Sequence, residues 1–186
     1  VTLAWVIAQG ACGALTVTMR LYPAVVTVHL LLGLGLLALL AVQAERSQDA
    51  GALAIDTAID TPTRRLAWVF AWLLLAQVAL GGWVSTNYAV LACTDFPTCQ
   101  GQWWPPMDFG EGFTLRRELG RSGSGGAYLP FAALTAIHVA HRIGALVLVV
   151  VAVALAWQLG RSAAPGARRL ASWLALLIVW QVATGA

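Results

Sequence analysis

Three ionisable side chains sit close together ahead of a long apolar run. They are His138, His141 and Arg142 in Ile137-His138-Val139-Ala140-His141-Arg142, followed by Ala145–Trp157. An ionisable group in a bilayer costs free energy, about 2.5–3.5 kcal/mol for Arg near a helix centre on insertion scales, so such groups are seldom idle. The neutral imidazole is a common ligand for transition metals. A spacing of i, i+3 puts both rings on one helix face, where they can enter a shared pocket.

Two histidines on one helix cannot bind opposite faces of one haem, which needs ligands from two helices. One of the pair is therefore read as an iron ligand, and the other as pocket wall or as a support for the ligand. Arg142 can reach a haem propionate through a charge-assisted, bidentate bond. Its alternative role is snorkelling to the headgroups. His29, in Val26-Thr27-Val28-His29-Leu30-Leu31, stands within another apolar run. A hydrogen-bonded core histidine is the bland account of it. In a bilayer, haem ligation is the favoured one.

Cys93 and Cys99 lie in a long loop between apolar runs. A disulfide closing this ring would contribute about 2.4 kcal/mol on the chain-entropy model, less any strain. Free thiols and half of a zinc site are the alternatives, and zinc is disfavoured because no second Cys or His pair accompanies the loop. Cys12 is expected to be inert packing. Asp95 and Glu111 are conceivable proton carriers by loop position alone.

The elements that must position these groups follow from composition. The chain has 186 residues, 60% of them hydrophobic and 10% charged, with mean hydropathy +0.78. Apolar runs occupy Val1–Val17, Ala24–Val42, Leu66–Val84, Thr135–Leu159 and Leu170–Ala186. Roughly 20 apolar residues span the hydrocarbon core. The fold expected is an all-α, polytopic transmembrane helical bundle with five visible spans. No basic region precedes the first run, so a signal peptide is not expected. Nucleic-acid binding is excluded for lack of a basic stripe; membrane lipid is the expected surroundings.

All eleven basic residues are Arg, against eight acidic ones. Arg46, Arg64 and Arg65 fall in one short connector, and Arg161, Arg168 and Arg169 in another on the same side. Short Arg-rich connectors read as cytoplasmic, which places loop 85–133 outside, although Arg116, Arg117 and Arg121 lie in it. There thiols can oxidise.

A pattern recurs near the ends of three apolar runs: Gln9-Gly10-Ala11-Cys12-Gly13-Ala14, Gln77-Val78-Ala79-Leu80-Gly81-Gly82 and Gln181-Val182-Ala183-Thr184-Gly185-Ala186. A Trp precedes each Gln (Trp5, Trp72, Trp180). Repeated helix pairs would produce this self-similarity. Small-x-x-x-small helix packing is the alternative. The repeat predicts two four-helix units. Residues 1–43 would be the second half of the first, 44–65 a cytoplasmic connector, and 66–186 most of the second. A histidine equivalent to His29 is expected about fifteen positions beyond the third copy.

The stretch Gly81-Gly82-Trp83-Val84-Ser85-Thr86-Asn87-Tyr88-Ala89, with Ala92-Cys93-Thr94-Asp95-Phe96-Pro97-Thr98-Cys99-Gln100-Gly101-Gln102-Trp103-Trp104-Pro105-Pro106-Met107-Asp108-Phe109, resembles the extracytoplasmic loop of the bacterial haem A synthase family. Ile137–Ala145 resembles the helix after that loop, and Gly13–Val17 with Leu21-Tyr22-Pro23 and Val28-His29-Leu30 is similar to the family's third and fourth helices. The resemblance implies an eight-helix protein of two four-helix halves in the bacterial inner membrane, of which this chain lacks the first two helices and the last. It implies haem O as substrate, oxidised at its C8 methyl to the formyl of haem A by successive hydroxylations with loss of water, and haem b as electron-transfer cofactor. Under it His141 ligates haem b, His29 belongs to the substrate half, His138 lines the pocket, and Cys93 and Cys99 form the loop disulfide. The expected catalytic glutamate lies in the missing part, so the chain alone is expected to be inactive. Haem O synthase and terminal oxidase assembly are the implied partners.

Two rivals remain on residues alone. His29 and His141 could share one haem in a b-type cytochrome subunit. A transporter or assembly subunit could use Trp103, Trp104, Pro105 and Pro106 as a protein-binding surface, although interfacial Trp needs no partner.

Overall fold

The computed structural model describes residues 1–47, 59–115, 129–164 and 166–185. Among the described residues six α-helices are present: α1 Thr2–Thr18, α2 Pro23–Ser47, α3 Thr61–Thr86, α4 Phe109–Gly112, α5 Phe131–Arg161 and α6 Ala167–Gly185. Among the described residues the only β pairing is an isolated bridge between Cys99 and Gln102. The protein is an all-α membrane protein. Pro23–Glu45, Thr61–Thr86 and Phe131–Arg161 are long and apolar enough to cross a bilayer, whereas Thr2–Thr18 is apolar but shorter. Their exposed Leu37, Trp72, Leu146, Val150 and Trp157 are suited to acyl chains.

The helices overrun the apolar runs. α3 starts at Thr61 and not at Leu66, and α5 at Phe131 and not at Thr135. A helix satisfies its own backbone, so it continues into the headgroup region where polar side chains are tolerated. Arg64, Arg65 and Arg161 accordingly sit on helical turns. Much of the 44–65 connector, Arg116, Arg117, Arg121 and the Ser122–Ala127 stretch lie outside the described residues.

Two compact units are formed, Val1–Leu36 with Gln77–Ile143 and Leu37–Ala76 with Gly144–Ala186. In the second, Leu155, Leu159, Ala167 and Ala171 form a core flanked by Leu66, Phe70 and Leu174. There Thr63 Oγ1 donates to Gln158 Oε1 at 3.0 Å.

The first unit contains every expected site residue. Its first helix ends in a paired turn: Leu21 N–H donates to Thr16 O at 2.7 Å and Arg20 N–H to Val17 O at 3.1 Å. These bonds satisfy carbonyls that a helix end leaves over, with Arg20 in the left-handed region that usually favours glycine. Pro23 then opens α2 where its missing N–H costs nothing. Along the antiparallel pair, Trp5 Nε1 donates to Leu32 O at 2.9 Å. A Cβ on Gly35 would lie 2.7 Å from Trp5 Cζ2, so only glycine admits the indole there.

After α3 the chain makes a left-handed step at Tyr88 and a 3-10 turn over Ala89–Ala92. Trp83 reaches from α3 into the following segment, donating from Nε1 to Gly112 O at 2.8 Å. Asp108 caps α4 by accepting from Glu111 N–H at 3.0 Å. A Cβ on Gly112 would stand 2.9 Å from Ala133 O, so this segment lies directly on α5.

Candidate functional site

Gln9, Gly13 and His29 form one constellation. Gln9 and Gly13 are one turn apart and so share a face of α1. Gln9 Nε2 donates to the backbone carbonyl of His29 at 3.2 Å. A Cβ at Gly13 would lie 3.1 Å from His29 Cε1, so the imidazole rests against bare helix backbone. His29 Nδ1 and Gln9 Oε1 are buried without a hydrogen-bond partner among the described residues.

The same arrangement recurs at His141. Gln77 Nε2 lies 3.0 Å from His141 Nδ1 and donates to His141 O at 3.0 Å. An amide N–H can only donate, so Nδ1 accepts and the ring proton sits on Nε2. A Cβ at Gly81 would approach His141 Cε1 to 3.3 Å. The third copy, Gln181 and Gly185 on α6, is exposed, and no histidine packs on that glycine among the described residues.

His138 shares the helix but is held differently. Its Nδ1 is 3.0 Å from Ala89 O in the 3-10 turn. A carbonyl can only accept, so Nδ1 carries the proton and Nε2 keeps its lone pair. The ring is buried.

Arg142 is engaged by the disulfide loop. Cys93 and Cys99 are bonded, with their Cα atoms 4.7 Å apart. Across this loop Arg142 Nη1 donates to Asp95 O at 2.9 Å and Thr98 O at 2.8 Å, and Nη2 donates to Cys93 O at 3.2 Å. Its guanidinium also lies 5.7 Å from the Phe96 ring centroid.

Asp95 organises the loop from within. Its carboxylate accepts from Thr98 Oγ1, from Gln100 N–H at 2.7 Å and from Gly101 N–H at 3.0 Å. The Thr98 hydroxyl and then the Gly101 amide hold its carboxyl below the usual carboxylate range. Gln100, itself left-handed at φ 56°, donates from Nε2 to Ala92 O at 3.2 Å and Thr135 Oγ1 at 2.8 Å. Asp95 thus acts as a structural anion, and Glu111 contributes its backbone N–H to the α4 cap.

His29, His138, His141, Arg142, Cys93 and Cys99 therefore fall in one unit. Among the described residues no three His, Cys, Asp or Glu side chains gather into a protein-only metal cage. The glutamine and glycine beside each histidine went unassigned in the sequence reading. Their repeated spacing was the available signal, since the first two copies of Gln-x-x-x-Gly are each followed by a histidine on the next apolar run.

Comparison with known proteins gives three findings. The COX15-CtaA family model, described as cytochrome oxidase assembly protein, matches residues 1–186. Heme A synthase of Shewanella oneidensis is 38% identical over 177 residues, covering 95% of this chain and 52% of that protein. Heme A synthase of Halalkalibacterium halodurans is 36% identical over 92 residues, 49% of this chain and 22% of that protein. The chain thus spans about half the length of the first relative or less of the second. No solved structure matches it significantly.

Proposed function

The chain belongs to the COX15-CtaA family of cytochrome oxidase assembly proteins, and on that footing we propose that the whole protein is a haem A synthase. It oxidises the C8 methyl of haem O to a formyl group in the bacterial inner membrane, with loop 85–133 on the outer side. Haem O synthase and the assembling terminal oxidase are its partners. The two four-helix units of the sequence reading belong to this proposal, as does the connector between them.

The observation that supports the reading best is the pair of seated histidines. His29 and His141 stand on different helices of one unit, each against a glycine and each held through its carbonyl by a glutamine. The residues fit haem. Gln9 Oε1, Thr27 Oγ1, His29 Nδ1 and Gln77 Oε1 are buried and lack hydrogen-bond partners among the described residues, a concentration of unmet polarity typical of functional sites. His141 would hold the iron of haem b, and His29 the iron of the substrate haem. A bound haem b supplies one-electron transfer.

The chain's own residues do the rest. His138 keeps its proton at Nδ1 and offers Nε2 to the pocket as an acceptor. Arg142 fixes the loop over the start of this site, and its donors beyond the three carbonyl bonds serve a haem propionate.

A pyridine haemochrome spectrum of the full-length protein tests the reading. Haem O or haem A alongside haem b is the expected result. Haem b alone would move the assignment to a b-type cytochrome, and no haem at all to a transporter or assembly subunit.

A further inference from the structure

We propose that Gln-x-x-x-Gly is a histidine seat: the glutamine and glycine of one helix fix the backbone position and ring plane of a histidine on the next. Gln9 and Gly13 serve His29, and Gln77 and Gly81 serve His141. The haem reading above gives the seat its purpose, because it makes these two rings the iron ligands, but the seat itself stands on geometry.

Two independent instances carry it. The contacts bridge 20 residues in one case and 64 in the other. In both, the glutamine amide reaches the carbonyl of the histidine itself and not that of a neighbour. In both, the glycine one turn on faces the Cε1 edge of the same ring, at Cβ distances of 3.1 and 3.3 Å. Such distances are tighter than ordinary contact, so a methyl at either glycine must displace the ring. Gly10, on the same helix as Gly13, has nothing within 4 Å of its Cβ position. Small-residue packing alone would not single out Gly13.

Each seat constrains two properties. The glutamine–carbonyl bond sets how far the histidine helix extends past its partner. The glycine leaves a flat patch that fixes the imidazole plane. At His141 the glutamine also touches Nδ1, so it selects which ring nitrogen carries the proton. Glutamine suits this because its one amide nitrogen carries two N–H donors, enough for the carbonyl and the ring nitrogen together. Gln77 and Gly81 are thus positioning residues that act through His141.

The test is 15N NMR of the haem-free, full-length protein in bilayers, labelled at histidine. In the unsubstituted protein His141 is expected to show an accepting Nδ1 and a protonated Nε2. Gln77→Leu and Gly81→Ala are each expected to shift those two resonances, while Gly10→Ala leaves them in place. Gly81→Ala is the milder change and keeps the measurement open if Gln77→Leu does not assemble. In haem-loaded protein the same two variants are expected to shift the EPR g-values that report ring orientation. Unmoved His141 resonances in both variants would overturn the seat, as would unmoved g-values at full haem content. Absence of haem from the unsubstituted protein, with the NMR shifts intact, would sink the synthase reading and leave the seat supported.

Discussion

Arg142 Nη1 donates to the backbone carbonyl of Thr98 at 2.8 Å, so the residue next to His141 is tied to a loop that a disulfide closes. The sequence neighbour of a candidate iron ligand is therefore a clamp.

Replacing the clamp tests this. Lysine is a point charge without the planar fork, and it cannot serve three carbonyls in the Arg142 geometry. Arg142→Lys is expected to cost about 1–3 kcal/mol, the range for acceptors left without their donor. The loop disulfide should then be reduced faster by dithiothreitol. A reduction rate equal to that of the unsubstituted protein would refute the clamp.

Opening the ring is the complementary experiment. Cys93→Ser with Cys99→Ser removes the cross-link, and the chain-entropy model gives a loss of about 2.4 kcal/mol. Because Cys93 O is also an Arg142 acceptor, adding Arg142→Lys should cost less than the sum of the two changes. Strict additivity in thermal melts would show that the clamp and the disulfide act separately.

Asp95 makes the loop sensitive to acid. Its carboxyl is held below the ordinary range in the folded loop. The ionised form thus favours the folded loop fully above the ordinary carboxylate value, about pH 4. That contribution is lost as pH falls through the lower folded-state value. Limited proteolysis between pH 6 and strongly acid conditions should show the loop loosening at the acid end. Asp95→Asn should be weaker at neutral pH and flat across the range. An acid transition of the same size in Asp95→Asn would place the titrating group elsewhere.

His138 and His141 should separate cleanly in haem retention. His138→Phe keeps an aromatic ring but leaves Ala89 O without its donor, an expected loss of about 1–3 kcal/mol in stability. Haem per protein should survive that change and fall in His141→Ala and His29→Ala. If His138→Phe empties the protein of haem at preserved fold, His138 is a ligand and its assignment to the pocket wall is wrong.

The helical membrane architecture was legible because apolar composition and run length report directly on a bilayer. Cys93 and Cys99 were legible because two thiols so close together in one loop have few fates. The role of Arg142 was not, because its partners are the backbone carbonyls of Cys93, Asp95 and Thr98, which no residue type marks. Gln9 and Gln77 stand between these cases. Their recurrence was visible, but the occupant of each seat lies on another helix and becomes visible only when the helices are paired. The early starts of α3 and α5 were hidden because polar turns at the membrane surface carry no apolar signal.

A further consequence follows from the carbonyl bonds of Gln9 and Gln77. An α-helix repeats about every 5.4 Å along its axis. If a histidine helix slid by one turn against its partner, the amide would lose its carbonyl and the ring would ride off the glycine in the same movement. Vertical slippage is therefore penalised twice at one spot. The pair works as a register stop, setting how far along its partner helix each imidazole lies.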